Sequence, residues 1–310
     1  MRVGVVIPVR DRPGLVLEAL SSVHAQTRPP DRLVVVDDGS TDTTAHRVEA
    51  WLTQHRVPGW ELLRIEHRGA PAARQHGLEA IPEVDLVAFL DSDDLWPADL
   101  VQRAIGVLGH DPHLIGASAD RKTIDESTGQ IRADRLATMV NHPWRWMVHH
   151  GAGIGSCSFI RASALRSISG YPSAQPTGHD IELFSRLLTL GPWGHLPGLP
   201  VTFRRHHAQV RGEADHIYRQ FKDANFRYAC LYEQAVKSMP PADARCREVR
   251  RSMARRWISA AKAADRVGDT TGAAQCLSKA KGYQSHSFRA ARLKWRLRSK
   301  SRQPRGSPPS

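Results

Sequence analysis

The sequence predicts an α/β sheet flanked by helices and followed by a C-terminal α-helical appendage. Three observations carry this. Apolar runs of strand length alternate four times with helical periodicity between Val3 and Leu108. Clusters rich in Asp, Gly and Ser or Arg follow three of the four strand-like runs. From about Glu213 onward the pattern is helical and the charge becomes strongly basic.

Val3–Val9 is an unbroken apolar run rich in β-branched residues, the mark of a strand buried on both faces. Pro13 stands where a helix begins, and Val16, Ala19, Leu20 and Val23 then fall on one helical face. Leu33–Val36 is a second strand, ending in Asp37-Asp38-Gly39-Ser40. The next helix is expected to be capped by Ser40 or Thr41, with Val48, Trp51 and Leu52 inward. Trp60–Glu66 reads as a strand, Ala70–Ala80 as a helix and Leu86–Leu90 as a strand. Asp91-Ser92-Asp93-Asp94 follows, and Pro97 opens a helix through Leu108. Such alternation implies right-handed crossovers. Ile115–His207 is less regular, with strand-like Ser156–Ile160 and Leu199–Phe203 and a helix over Asp180–Leu190. Trp257–Arg266 and Thr271–Lys281 form a helical hairpin. Domains are expected at 1–210, with a helical extension over 211–285 and a basic, partly disordered tail over 286–310.

The chain of 310 residues carries 44 Lys and Arg against 31 Asp and Glu, a formal charge of +13. That sum suggests nucleic acid, but its distribution does not. Arg245–Arg256 holds six Arg and one Glu, and His286–Ser310 holds eight Lys or Arg and no acid. The remaining 273 residues are neutral, and Met1–Asp120 carries 11 bases against 18 acids. No nucleic-acid partner is expected, because the acidic portion suits a bound cation better than a polyanion. The longest aliphatic stretches fall far short of the ~20 residues a membrane span needs. Four scattered cysteines, none in a C-x-x-C pair, argue against a disulfide framework or zinc ribbon. The first residues enter a strand directly and show no signal-peptide pattern, so a cytoplasmic location is expected.

In open α/β sheets, ligands bind beyond the carboxyl ends of strands where strand order reverses. Arg10-Asp11-Arg12, Asp37–Ser40 and Asp91–Asp94 occupy such ends. Each alone is an ordinary turn composition, but three at one edge point to a site. If Asp91-Ser92-Asp93 is extended, its two carboxylates point to one side and call for a cation between them. Hard oxygen donors suit Mg²⁺ or Mn²⁺. Gly151-Ala152-Gly153-Ile154-Gly155 is not a dinucleotide fingerprint, because Ser156 holds the sixth position and no strand–turn–helix frames it. Trp144 and Trp146 read more readily as packing than as sugar-stacking groups.

The ordered set Val5–Arg12, Ala19–Thr27, Val35–Asp42, Arg68–Leu78 and Ala88–Asp94 resembles the family 2 glycosyltransferases over about residues 1–207. The resemblance implies a GT-A fold, a nucleotide-diphosphosugar donor with a UDP-sugar as first choice, and inversion at the anomeric carbon. By position it implies that Pro8, Val9 and Arg10 line the nucleotide pocket, Asp38 binds the base and Arg74 lies near the nucleotide. Asp91 and Ser92 would face ribose and sugar, and Asp93 would bind Mg²⁺ or Mn²⁺. Arg10 departs from the aromatic common there, and Asp11 and Gln75 from Asn. Gly178–Leu187 resembles the family's later motif of two acids opening a helix. There His179 replaces the first acid and Asp180 is the expected catalytic base, although a carboxylate at that place also serves as a plain helix cap. Phe203-Arg204-Arg205-His206 resembles the segment that closes over the donor, which makes His206 a second metal ligand and Arg204 or Arg205 helpers at the diphosphate. The acceptor would be the hydroxyl of a sugar, a lipid-linked group or another molecule. The alternative is an inactive GT-A-like protein that binds anionic surfaces through its basic tail, at the inner face of a membrane.

Overall fold

A computed structural model of the chain describes residues 1–150, 152–171, 179–205, 244–266 and 268–283. The chain divides into two compact units, Met1–Ala208 and Gln209–Ser310.

The first unit is built on one sheet. Strand β1 (Val3–Val9) is wholly buried and pairs in parallel with β2 (Arg32–Asp38) on one side and β4 (Leu86–Phe89) on the other. β3 (Trp60–Ile65) extends the parallel half beyond β2. The order is β3-β2-β1-β4, continued by β7 (Ser158–Arg161), β5 (Gly116–Asp125) and β6 (Ile131–Asp134), with β8 (Trp193–Arg205) paired to β5. Strand order therefore reverses at β1, between β2 and β4, and the carboxyl ends of these three strands bound the crevice where such sheets bind ligands. β7 is antiparallel to both β4 and β5, so the sheet is mixed.

Helix α1 (Leu15–His24) buries Val16, Ala19, Leu20 and Val23, the expected face. α2 begins at Thr44 and ends at His55, later than a cap at Ser40 or Thr41 would place it. Both hydroxyls are used instead at Asp11, described below. α3 (Ala70–Glu79) follows Gly69, whose φ of 91° suits only glycine. α4 (Leu100–His110) starts after Asp99 rather than at Pro97. Its entry is held by Gln26, which donates from Nε2 to the carbonyls of Pro97 (2.8 Å) and Ser22 (3.0 Å) and accepts the Val101 amide (3.0 Å). The short helices α5 (Ala137–Asn141), α6 (Pro143–His150) and α7 (Ala162–Ser167) lead to α8 (His179–Leu187), shorter than the expected helix to Leu190. Trp144 and Trp146 are half-buried on α6.

β5 and β6 are strands that the sequence reading left irregular. β5 opens on Gly116-Ala117-Ser118-Ala119 and continues in polar residues, so no apolar run marks it. β8 is longer than expected. Its pairing with β5 jumps from Ala119–Leu196 to Arg121–Val201, so Pro197–Pro200 bulge out opposite Asp120. Arg103 closes the bulge by donating to the carbonyls of Leu196, Pro197 and Leu199 at 3.2, 3.0 and 2.9 Å.

In the second unit, α9 (Ala244–Arg266) and α10 (Thr270–Tyr283) form a hairpin turned at Gly268, which has φ 77°. Small residues such as Ala254, Ala261, Ala273 and Ala280 are buried between them beside Trp257 and Leu277. The tail over 286–310 lies outside the described residues, as does His206.

Candidate active site

The crevice at the switch point is built from four loops and the start of α8. After β1, Pro8 and Val9 are buried opposite Val36 and Asp37, while Arg10 is exposed. Asp11 adopts φ 47°, a left-handed conformation that Asp and Asn tolerate best among residues with a side chain. Its amide donates to Ser40 Oγ (3.0 Å), and its carboxylate accepts the Thr41 amide (2.8 Å) and hydroxyl (3.3 Å). The Thr41 amide, more than any other group, holds the Asp11 pKa below its ordinary value. The first two loops are thus clasped together.

After β2, Asp37 and Asp38 are both buried. Gly39 turns the chain with φ 70°, and a Cβ there would stand 2.9 Å from the His67 nitrogen. Asp38 accepts the Arg68 amide on Oδ1 (2.7 Å), and the Gly69 amide (2.9 Å) and His67 Nδ1 (2.8 Å) on Oδ2. On the other side of the ring, His67 Nε2 lies 2.6 Å from Arg10 Nη1. A guanidinium only donates, so Nε2 accepts and Nδ1 carries the proton given to Asp38. Asp38 Oδ2 is saturated by two donors, while Oδ1 keeps one lone pair.

After β4, the expectation of an extended Asp91-Ser92-Asp93 is corrected. The segment is a turn in which the Asp94 amide donates to the Asp91 carbonyl at 3.0 Å. Asp91 pairs with Arg74 and Asp93 with Arg12, so the two carboxylates are set against different cations. Ser92 is buried. Asp94 does not cap a helix. It is buried, accepts Ser156 Oγ at 2.5 Å and the Arg204 amide at 3.1 Å, and so fastens the turn to the start of β7 and the end of β8. Burial first, and then the charge of Asp91, pushes its carboxyl up to about 8. The Arg204 guanidinium is engaged through Nε by the Asp93 carbonyl and through Nη1 by Glu18 Oε2 (2.6 Å), while Nη2 is buried without a hydrogen-bond partner among the described residues.

Arg74, on α3, is buried and central. It bonds Asp91, lies 3.2 Å from His179 Nε2 and sits 5.4 Å from the centre of the Tyr171 ring. Burial opposes its charge, but the Asp91 and Asp180 carboxylates help to outweigh that, and its pKa is raised. At the start of α8, Asp180 accepts the Tyr171 hydroxyl. His179 has its pKa lowered by burial despite the neighbouring Asp180, so its ring is held neutral.

Asp91, Arg74, His179 and Asp180 are therefore in one contact network, and Asp38 stands in another with Arg10. Sequence reasoning missed His67, Tyr171, Ser156 and the Arg12–Asp93 pair. His67, Tyr171 and Ser156 are single polar residues in loops with no spacing to mark them, and the pair joins two clusters far apart in sequence. Among the described residues no group of three or more His, Cys, Asp or Glu is arranged to hold a metal ion.

The sheet and crevice have the GT-A fold. A mannosyltransferase from Pyrobaculum calidifontis, solved with GDP-Man and Mn²⁺, superposes with TM-score 0.60 at 20% identity, over 97% of this chain and 80% of that one. S. aureus TarS 1–349, solved with UDP-GlcNAc, gives 0.62 at 13% identity over 93% of each chain. More narrowly, the chain belongs to glycosyl transferase family 2, whose model matches residues 4–168. Among relatives, it is 40% identical to the succinoglycan biosynthesis protein ExoW of Rhizobium meliloti over 97 residues, 31% of this chain and 30% of that protein. It is 32% identical over 107 residues to an Escherichia coli UDP-Glc:alpha-D-GlcNAc-diphosphoundecaprenol beta-1,3-glucosyltransferase, covering 34% of this chain and 40% of the relative. The matched stretches thus span well under two thirds of these relatives.

Proposed function

We propose that the chain is an inverting, metal-dependent glycosyltransferase that moves a sugar from a nucleotide-diphosphosugar to an acceptor hydroxyl. The observation that carries this is the Asp91–Arg74–His179–Asp180 network, which joins a carboxylate of the donor-side turn to one at the head of α8. Inverting transfer needs groups on opposite sides of the reacting carbon, and this network ties a carboxylate proposed for the donor side to the one proposed as base.

In the reaction, the acceptor oxygen attacks the anomeric carbon as its proton passes to Asp180. The bond from that carbon to the diphosphate breaks, and the nucleoside diphosphate leaves. Arg74 steadies Asp91 against ribose and sugar. Asp38 offers its remaining lone pair to a base. Uracil and guanine present a ring N–H there, whereas adenine and cytosine do not. The UDP-sugar in the names of the E. coli relative and of one TarS structure favours UDP first. A lipid-linked saccharide is the acceptor class we favour, by analogy with that relative.

The donor set fits a hard cation. Asp93 offers a carboxylate oxygen, which a cation would take over from Arg12. Mg²⁺ sites commonly use one or two carboxylates and complete the shell with substrate phosphates. When bound, Mg²⁺ or Mn²⁺ supplies Lewis-acid neutralisation of the leaving diphosphate. No helix among the described residues is long and apolar enough to cross a membrane. We place the enzyme in the cytoplasm, with its basic tail as the part that would touch an anionic inner membrane face.

Two variants test this reading. Asp180→Asn should keep nucleotide binding and lower turnover by about 10²–10⁴-fold. Asp93→Ala should lose metal-dependent donor binding, and EDTA should silence the native chain until Mn²⁺ is restored. Native turnover in Asp180→Asn would refute the base, and turnover indifferent to EDTA would refute the metal.

A further inference from the structure

The two oxygens of Asp180 have different surroundings. Oδ1 accepts the Tyr171 hydroxyl and lies 3.4 Å from His179 Nε2. Among the described residues, Oδ2 accepts no hydrogen bond, and the side chain is two-fifths exposed. His179 cannot hold the carboxylate through Nε2. That nitrogen faces Arg74, which only donates, so Nε2 must accept and has no proton for Asp180. Its Nδ1, which must then carry the proton, is buried without a partner among the described residues. Tyr171 is thus the hydrogen-bond donor to Asp180 among the described residues.

Tyr171 is itself held firmly by the donor side of the crevice. Its amide donates to Gln75 Oε1 at 2.7 Å, one residue along α3 from Arg74. The chain enters through two successive left-handed residues, Ser169 (φ 63°) and Gly170 (φ 77°). Its ring meets Phe89, at the end of β4, edge-on with centroids 5.0 Å apart, and its other neighbours are Arg74 and His179. The residue is only 4% exposed. Burial pushes the phenol pKa well up, so it stays protonated and donates.

We infer that Tyr171 is a positioning residue for the base: its hydroxyl occupies Oδ1 of Asp180, so that Oδ2 is presented to the acceptor hydroxyl. This rests on the reading of Asp180 as the base. It also explains how the head of α8 is keyed to α3 and β4, because Tyr171 is anchored to both and reaches Asp180 across the crevice. The charged and titratable groups facing this point are Arg74 from α3, Asp91 from the turn after β4, and His179 and Glu182 from α8 itself.

The test uses the full chain and the sugar nucleotide it turns over, with release of nucleoside diphosphate followed at saturating acceptor. Tyr171→Phe keeps the ring and its packing and removes only the hydroxyl. Its kcat should fall about tenfold, the size expected for one lost bond to a charged group, with KM for the donor and Tm little changed. A tyrosine needed only for packing would move Tm and KM and leave kcat in place. Asp180→Asn, run in parallel, separates the two claims. If it loses turnover while Tyr171→Phe keeps native kcat, the inference about Tyr171 falls and the base stands. If Asp180→Asn turns over normally, the base reading falls and takes this inference with it.

Discussion

At the scale of single residues, the crevice works by pairing each acid with a defined donor. Asp38 has His67 and two backbone amides, Asp91 has Arg74, and Asp93 has Arg12. The acids themselves were legible in the sequence, because paired carboxylates at strand ends are unusual enough to be seen. Arg74 was legible by position too, but the pairing of Arg12 with Asp93 and the roles of His67 and Tyr171 were not, since the loops bring these residues together from afar. Substituting His179 for the first acid of the motif leaves Asp180 without a second carboxylate beside it, at a cost in acid. The folded chain holds this imidazole neutral, whereas the unfolded chain protonates it near its ordinary value of 6.5. Below about pH 6.5 the unfolded state therefore gains a proton that the folded state resists, and stability falls as pH drops. Comparing Tm at pH 8 and pH 5, His179→Asn should lose less on acidification than the native chain. An equal loss in both would show that the ring is not held neutral.

At the scale of elements, regular units were readable where the apolar period was clean. Val16, Ala19, Leu20 and Val23 face inward on α1 as their spacing requires. β5 and β8 were hidden for opposite reasons. β5 is paired on both edges yet built of small and polar residues, and β8 contains Pro197, Gly198 and Pro200, which read as a break. The bulge opposite Asp120 absorbs that break, and no local pattern announces a bulge. Gln26 shows how much one side chain can do between elements. It joins the end of α1 to the start of α4 with three hydrogen bonds while only 5% exposed. Gln26→Leu would keep the volume and strand two carbonyls and an amide. We expect a loss of about 3 kcal/mol, read from the urea midpoint. A midpoint unchanged from the native chain would mean that these groups find other partners.

At the scale of the molecule, charge and chemistry are separate. The formal +13 lies in Arg245–Arg256 and His286–Ser310, outside the unit that carries the crevice, whose first 120 residues are acidic. That division keeps two readings distinct: a transferase whose basic segments serve location, and an inactive fold that only binds anionic surfaces. The network around Arg74 supports the first. The direct measurement is release of nucleoside diphosphate by the native chain across a panel of UDP-, GDP- and ADP-sugars with Mn²⁺. The account predicts turnover of a UDP- or GDP-sugar, none of ADP-sugars, and loss of the signal with EDTA. A folded chain that neither binds nor turns over any of them would contradict it.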